Sequence, residues 1–241
     1  MKVTKKSIFR HIVANVIIIA SVAVVFVAAF SAGGAVDVST IINGAYYHGN
    51  ENSSFVALMI NVYSGSDEVF QMLDILKNSQ GKATFFIGGC WAEKNKSVVE
   101  AIHECGMEIG NHGYLHKDSD KLTDSRLKSE INSTKNLIEA YIGVKTTLFA
   151  PPSGAIDKRT AIVASDCGHK TIMWSKDTID WRDGDSDLIV TRATKNLVPG
   201  DLILMHPTEA TVKALPEILK KISAMGLKSA YVSEIIDENK L

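Results

Sequence analysis

The sequence has few cysteines, and none of them lie close together along the chain. The three cysteines are Cys90, Cys105 and Cys167. Their spacing excludes a CxxC zinc site and a dense disulfide scaffold, and it predicts small buried thiols. The chain also lacks a basic run beyond its N-terminus, and its formal net charge is -1 over 241 residues. Because a nucleic-acid-binding protein needs a positive surface, no nucleic-acid partner is expected.

Charged residues are absent between Ile12 and Val36. Residues 12–30 are apolar apart from one asparagine and one serine, and a helix of that length reaches about 28 Å, close to the thickness of a bilayer core. Because lysine and arginine precede this stretch, we expect a single-pass anchor in the cell membrane, with the rest of the chain outside. A signal peptide cleaved within residues 31–35 is the alternative, although the apolar core is longer than usual for one.

These features divide the chain into four predicted parts. Residues 1–36 form a cytoplasmic stub and the anchor helix, and residues 37–54 form a polar linker. Residues 55–236 form the folded domain, and residues 237–241 form a tail. The linker is predicted because its glycine, asparagine and serine residues follow no periodic pattern.

Apolar runs alternate with helical periodicities throughout the folded domain. Strands are predicted at 55–62, 83–87, 108–110, 147–149, 171–174, 201–206 and 229–232. Helices are predicted at 69–77, 98–104, 125–141, 159–167, 186–197 and 212–225. This alternation is typical of parallel βα units in a doubly wound α/β sheet or a barrel. The first strand is followed by neither a GxGxxG motif nor a Walker A loop, so a nucleotide-binding function loses its main support.

Polar residues at the ends of the predicted strands favour the barrel. Asn61, His112, Asp180 and His206 each fall at or just beyond the C-terminal end of a strand, where barrel active sites are built. His112 and His116 are four residues apart, and a helical turn would place both imidazoles on one face, as in many zinc sites. The pair alone is weak evidence, because two exposed helix histidines give the same spacing.

Five sequence blocks in a fixed order carry a more specific signal. They are KATFFIG at 82–88, EIGNHGYLH at 108–116, FAPPSG at 149–154, DTIDW at 177–181 and LILMHP at 202–207. In this order they resemble the polysaccharide deacetylase family, also called the NodB-homology domain or carbohydrate esterase family four, over residues 55–236. Within that family the chain looks similar to the membrane-anchored, sporulation-associated branch, with a degenerate first motif.

The resemblance implies a distorted, partly open (β/α) barrel of about seven parallel strands. It implies a hydrolase that removes acetyl groups from a cell-wall or related glycan such as peptidoglycan. Family members bind a divalent metal, usually zinc, through one aspartate and two histidines, and they use a second aspartate as general base. By motif position, His112 and His116 match the metal ligands and His206 matches the general acid. Asp180 matches the carboxylate that orients His206 and raises its pKa.

The ends of the motifs also supply candidate substrate contacts. Glycan sites use aromatic rings as platforms, although large aromatic side chains are as often buried in a core. The candidate substrate-binding residues are Pro151, Pro152, Trp181 and Tyr63, with Tyr114 and Trp174 nearby.

The first block departs from the family pattern of two consecutive aspartates. Asn61 stands at the position of the general base, and Val62 stands at the position of the metal-binding carboxylate. A neutral amide does not accept a proton from water near neutral pH, and valine has no atom that ligates a metal. Ala150 replaces the arginine that pairs with the base, which avoids leaving a partly buried guanidinium without a partner.

Three functions therefore remain open. The first is a metal-dependent deacetylase in which Asp67 or Glu68 replaces the missing carboxylate, although acidic residues are also usual in the first turn of a helix. The second is a catalytically impaired pseudoenzyme that still binds glycan and holds a metal weakly. The third is an extracytoplasmic interaction protein without a glycan ligand.

Overall fold

The computed structural model describes residues 41–237 of the chain. The predicted anchor at 12–36 lies outside the described residues. Residues 37–40 of the predicted linker and residues 238–241 of the predicted tail also lie outside them. Within residues 41–237, none of the helices combines the length and the apolar character that crossing a membrane requires.

Strands and helices alternate through most of the domain, as predicted. The strands are β1 (Ile41–Ile42), β2 (Ala45–Tyr46), β3 (Phe55–Val62), β4 (Thr84–Ile87), β5 (Glu108–Asn111), β6 (Leu148–Phe149), β7 (Lys170–Ile172), β8 (Lys176–Asp177), β9 (Leu202–Met205) and β10 (Lys228–Ala230). The helices are α1 (Ser66–Ser79), α2 (Gly89–Ala92), α3 (Lys96–Glu104), α4 (Asp124–Ile142), α5 (Lys158–Asp166), α6 (Ser186–Thr194), α7 (Glu209–Ala224) and α8 (Val232–Ile235). All seven predicted strands are confirmed, and β1, β2 and β8 are additional.

The strands form one curled sheet in the order β1-β2-β7-β6-β5-β4-β3-β9-β8, and β10 pairs with one end of β3. Every pair is parallel except the β1–β2 hairpin. Because β1 and β8 end the order without pairing to each other, the described sheet is a half-barrel rather than a closed barrel. The carboxyl ends of β3, β4, β5 and β9 meet at one rim, which is where the predicted site residues lie.

The two faces of β3 bury different cores. Val56, Leu58, Ile60 and Val62 belong to the outer core, which the helices cover. Ala57 and Met59 belong to the inner core, whose floor is closed by residues of α8. Each fully buried aliphatic side chain contributes about 1.5–3 kcal/mol, so this alternation fixes the strand register strongly. As a result Asn61 continues the inner row at the rim, whereas Val62 points into the outer core.

The prediction of a linker at 37–54 is wrong for residues 41–54, the part that the structure describes. Asn43 and Gly44 form the turn of the β1–β2 hairpin, with left-handed φ values of 52° and 82°. Ala45 is fully buried where β2 pairs with β7. His48 lies against the buried carboxylate of Asp201, with 3.5 Å between Nε2 and Oδ1. The polar residues that suggested a solvated linker are bonded to the barrel instead.

Candidate active-site cleft

A loop, rather than a helical turn, brings the two histidines together. His112 follows the last residue of β5, and His116 has a left-handed φ of 54°. The imidazole centroids of His112 and His116 are 5.0 Å apart. The expectation of an i, i+4 pair on one helix face is therefore wrong, because Gly113 and His116 both adopt positive φ values that a helix excludes. The two rings nevertheless converge, as the metal hypothesis required.

Buried Glu130 on α4 holds this histidine loop in place. Its Oε2 accepts hydrogen bonds from the backbone N–H groups of Tyr114 (2.9 Å) and Leu115 (2.6 Å). Its Oε1 accepts a bond from Nη2 of Arg126 at 3.0 Å. The Asn111 side chain adds a bond from Nδ2 to the Ile131 carbonyl at 2.8 Å. Sequence reasoning missed Glu130, although an acidic residue on the apolar side of the predicted helix was a signal for it.

The His112 ring has a fixed tautomer. Nδ1 lies 2.7 Å from the carbonyl oxygen of Ala150, and because a carbonyl only accepts, Nδ1 carries the proton and donates. Nε2 is then an unprotonated acceptor at the cleft. Burial and the neighbouring His116 lower the pKa of His112 to about 3. Burial also lowers the pKa of His116. Both imidazoles are consequently neutral near pH 7, which is the form that ligates metals.

His206 and Asp180 form the predicted acid pair. Nδ1 of His206 donates to Oδ1 of Asp180 at 2.8 Å. Oδ2 of Asp180 accepts from the His206 backbone N–H at 2.6 Å and from the Thr211 hydroxyl at 2.5 Å. Burial alone would raise the pKa of Asp180, but the bonds from His206 and Thr211 outweigh burial and lower it. The carboxylate therefore stays charged and orients His206 with Nε2 at the cleft. Thr211 was not predicted.

These groups surround one cleft of about 330 Å³ at the rim of the half-barrel. Its lining residues are Asn61, Tyr63, His112, His116, Ser153, Gly154, Trp174, Asp177, Trp181, Leu204 and His206. Asp180 lies behind His206. Pro151 and Pro152 were predicted to contact substrate, but both are buried and neither is among the lining residues. The ring of Pro152 packs against the histidine loop at Gly113 instead.

Aromatic rings form much of the cleft wall. The Tyr63 ring centroid lies 4.2 Å from that of His116 and 5.9 Å from that of His206. Tyr63 is 40% exposed and Trp181 is 57% exposed, and both line the cleft. Their contact with a substrate stays a prediction. Trp174 packs closely against Gly154, where a Cβ would lie 2.5 Å from an edge atom of the indole ring. This wall offers apolar platforms of the kind that sugar rings use.

Comparison with known proteins places this cleft in a family. A profile described as Polysaccharide deacetylase matches residues 48–172. A peptidoglycan-N-acetylglucosamine deacetylase of Bacillus cereus is 31% identical over 193 residues, which are 77% of this chain and 89% of that protein. The chain belongs to the polysaccharide deacetylase family. An uncharacterised Bacillus subtilis protein, YlxY, is 40% identical over 195 residues, but this chain spans 61% of its length.

Solved structures of carbohydrate esterase family four share the fold. A family pseudoenzyme from Bacillus anthracis matches with a TM-score of 0.80 at 34% identity, over 83% of this chain and 72% of that one. A mutant of that pseudoenzyme with restored enzymatic activity matches with a TM-score of 0.80 at 33% identity, over 83% of this chain and 74% of that one. The curled half-barrel is thus the fold of polysaccharide deacetylases.

Deacetylases of this family are generally metal-dependent, and the donor set here does not complete such a site. A catalytic zinc takes three protein ligands. His112 and His116 supply two, and Val62 is fully buried in the outer core. Asp67 is exposed in the first turn of α1, as is usual for an acidic residue there. Among residues 41–237, no three His, Cys, Asp or Glu side chains are placed to hold one metal ion.

The position that the family resemblance assigns to the general base is also changed in this family member. Asn61 lines the cleft and is 3% exposed. Its Oδ1 is buried without a hydrogen-bond partner in the described part of the chain. An amide there can donate and accept hydrogen bonds, but it does not take a proton from water. The site therefore keeps the hydrogen-bonded pair of His206 and Asp180 and the two neighbouring histidines, and it lacks both carboxylates of the first motif.

Proposed function

We propose that this protein binds a cell-wall glycan of the peptidoglycan type in the cleft and that its deacetylase activity is strongly impaired. The single observation that carries the proposal is the identity of the last two residues of β3 at the rim. Asn61 occupies the base position, and the side chain of Val62 faces the outer core. The aromatic side chains in the cleft lining support retained glycan binding. The names of the similar deacetylases, which include enzymes acting on peptidoglycan N-acetylglucosamine and N-acetylmuramic acid, support the ligand class.

Amide hydrolysis needs a proton removed from water as it attacks the acetyl carbonyl and a proton delivered to the departing amine. We assign the second transfer to His206, and its hydrogen bond to Asp180 supports this role. For the first transfer the cleft has only Asn61 at the base position, and the loss of a general base typically costs about 10²–10⁴ in rate. A metal bound at His112 and His116 would polarise the carbonyl, but two neutral imidazoles hold it more weakly than a complete triad.

A slow metal-dependent deacetylase is the second candidate. The observation that favours it is the intact network of His206, Asp180 and Thr211, which serves proton delivery and has no evident use in simple binding. This candidate needs a third ligand from outside the described cluster, since Asp67 remains at the start of α1.

Two measurements on the same protein separate these functions. Calorimetric titration with acetylated chito-oligomers and with peptidoglycan fragments tests binding, and acetate assays at saturating zinc test turnover. Our proposal expects binding with acetate release at least about 10²-fold below that of an active relative. Turnover lost in both His112→Ala and His116→Ala would favour the slow deacetylase instead. Neither binding nor turnover would refute both and leave the interaction protein.

We also propose that residues 12–36 hold the domain at the outer face of the cell membrane. The support is the uncharged stretch and the basic residues that precede it. Fractionation of cells should find the intact chain in the membrane pellet. A mature protein in the medium, with a new N-terminus within residues 31–36, would refute the anchor.

A further inference from the structure

Large apolar side chains are exposed where the β1–β2 hairpin packs against α5. Ile42 on β1 is 49% exposed. Ile162 on α5 is 64% exposed, the largest fraction for a large apolar side chain among residues 41–237. The hairpin and the helix are in close contact, because a Cβ on Gly44 would lie 2.9 Å from the Cβ of Ala161. Exposed apolar side chains on two adjoining elements are typical of an interaction surface.

A groove of about 530 Å³ lies between these two elements. Its lining residues are Asn43, Gly44, Lys158, Ala161, Ile162, Ser165 and Asp166. The carboxylate of Asp166 is paired with Lys128, with 2.8 Å between Oδ2 and Nζ. Lys158 is exposed, and it forms no ion pair within the described part of the chain. The groove is therefore bordered by a lysine whose charge is not compensated.

The lysine and the isoleucine of α5 lie side by side. Lys158 and Ile162 are four residues apart, and residues at this spacing share one face of a helix. A lysine whose methylene groups lie along an apolar side chain, with its ammonium group beyond it, is typical of helices that lie on a lipid surface. We refer to Ile42, Lys158 and Ile162 together as the hairpin–helix surface.

The length of the connecting chain limits what can cover this surface. Residues 37–40 are the whole connection between the proposed membrane anchor and β1. Even when fully extended, the chain from residue 36 to residue 41 spans at most about 18 Å. A domain of about 200 residues has a radius of gyration of about 16 Å, and hence a diameter of about 40 Å. The domain therefore cannot turn β1 away from a bilayer that holds the anchor.

We propose that the hairpin–helix surface docks on the outer leaflet of the cell membrane. The isoleucines lie in the headgroup layer, and Lys158 lies among anionic lipid headgroups, which attract lysine side chains. The proposal rests on the membrane anchor of the proposed function, because the anchor is what brings this face to the bilayer. Docking restricts the directions in which the glycan cleft can face.

Quenching of a fluorophore by spin-labelled lipid tests the docking. The full chain is reconstituted in vesicles of phosphatidylcholine and phosphatidylglycerol that carry a nitroxide on the upper part of the acyl chains. The fluorophore is attached to Ile162→Cys or to Ile42→Cys in the Cys105→Ser chain, because Cys105 is the exposed native cysteine. We expect strong quenching at both positions, since the apolar side of a docked helix lies about 5–10 Å into the boundary of headgroups and acyl chains. The labelled Cys105→Ser chain without a new cysteine gives the background.

Phe70→Cys is the matched control. Phe70 is an apolar residue that is 43% exposed on α1, and α1 connects β3 to β4, which are four or more positions from β2 in the sheet. Its fluorophore should not be quenched. Lys158→Gln should reduce the quenching at residue 162 in vesicles that contain phosphatidylglycerol, and it should change nothing in pure phosphatidylcholine.

Flotation of the vesicles separates failure of the docking from failure of the anchor. A chain that floats with the vesicles but shows no quenching at residue 162, or equal quenching at residues 162 and 70, would overturn the docking and leave the anchor. A chain that does not float would refute the anchor and the docking together. A fluorophore at residue 162 that is shielded from aqueous iodide but not quenched by lipid would indicate that a second copy or residues 31–40 cover the surface, which would also overturn the proposal.

Discussion

Replacing Glu130 by alanine should loosen the histidine loop and lower the stability of the whole domain. The carboxylate accepts three hydrogen bonds, from the backbone N–H groups of Tyr114 and Leu115 and from Arg126. Arg126 is half exposed, so its ion pair with Glu130 contributes less than about 1 kcal/mol. The two backbone donors bond to a charged acceptor that is itself 3% exposed. Leaving a buried backbone donor without a partner costs about 1–3 kcal/mol.

The expected loss in the free energy of unfolding is therefore about 2–3 kcal/mol for Glu130→Ala. Glu130→Gln keeps an oxygen for the backbone donors and should lose about 1 kcal/mol. Glu139→Ala, on the same helix, removes an exposed pair with Lys145 and should lose less than about 0.5 kcal/mol. Urea unfolding followed by tryptophan fluorescence measures all three. Equal losses for Glu130→Ala and Glu139→Ala would refute the assignment of Glu130 as the residue that positions the loop.

Three shorter predictions concern other parts of the domain. Gly89→Ala should lower stability by about 1–3 kcal/mol in thermal melts, because its Cβ would lie 2.4 Å from the ring of Tyr114. The carboxylate of Asp201 raises the pKa of His48 above 6.5. The stabilisation from this pair is therefore complete below pH 6.5 and is lost as pH rises through the folded-state pKa. His48→Gln should remove this pH dependence from the free energy of unfolding measured across the pH range. Val62→Asp should cost about 3 kcal/mol or more in chelator, measured by urea unfolding, because it places a carboxylate in the outer core.

Sequence patterns predicted the long elements of this fold and missed the short ones for a physical reason. An eight-residue apolar run such as β3 is stabilised by burial on both faces, and such a run can be recognised directly in the sequence. The two-residue strands β1, β2 and β8 are too short to show any period. Residues 37–54 were predicted as a linker because they are rich in polar residues and glycine, yet some of their polar groups bond to the barrel, such as Gly49 N–H to the Gly200 carbonyl at 2.8 Å. The polarity of a residue alone does not show whether its hydrogen-bond partner is water or another part of the protein.

The residues of the candidate site could be predicted from sequence motifs, but the backbone conformation that brings them together could not. The pairing of His206 with Asp180 and the convergence of His112 and His116 followed from motif order, and the structure shows both contacts. The conformation of the histidine loop did not follow, because four-residue spacing is compatible with helix and loop alike. Glu130 stands out as an acidic residue on the apolar side of its helix, but its backbone partners in the histidine loop could not be predicted from a side-chain pattern.

The changes at residues 61, 62 and 150 act together on the electrostatics of the cleft. An intact first motif puts two carboxylates beside the histidines, and their charge is compensated by a bound metal and by an arginine. Asn61 and Val62 remove both carboxylates, so neither the metal nor the arginine is needed to compensate them, and Ala150 fits that state without leaving a buried charge. What remains in the cleft lining is His112 with an unshared Nε2 lone pair, together with Asn61, His116 and several aromatic rings. The substitutions at residues 61, 62 and 150 therefore remove opposite charges together, so that none of the three leaves a buried charge without a partner.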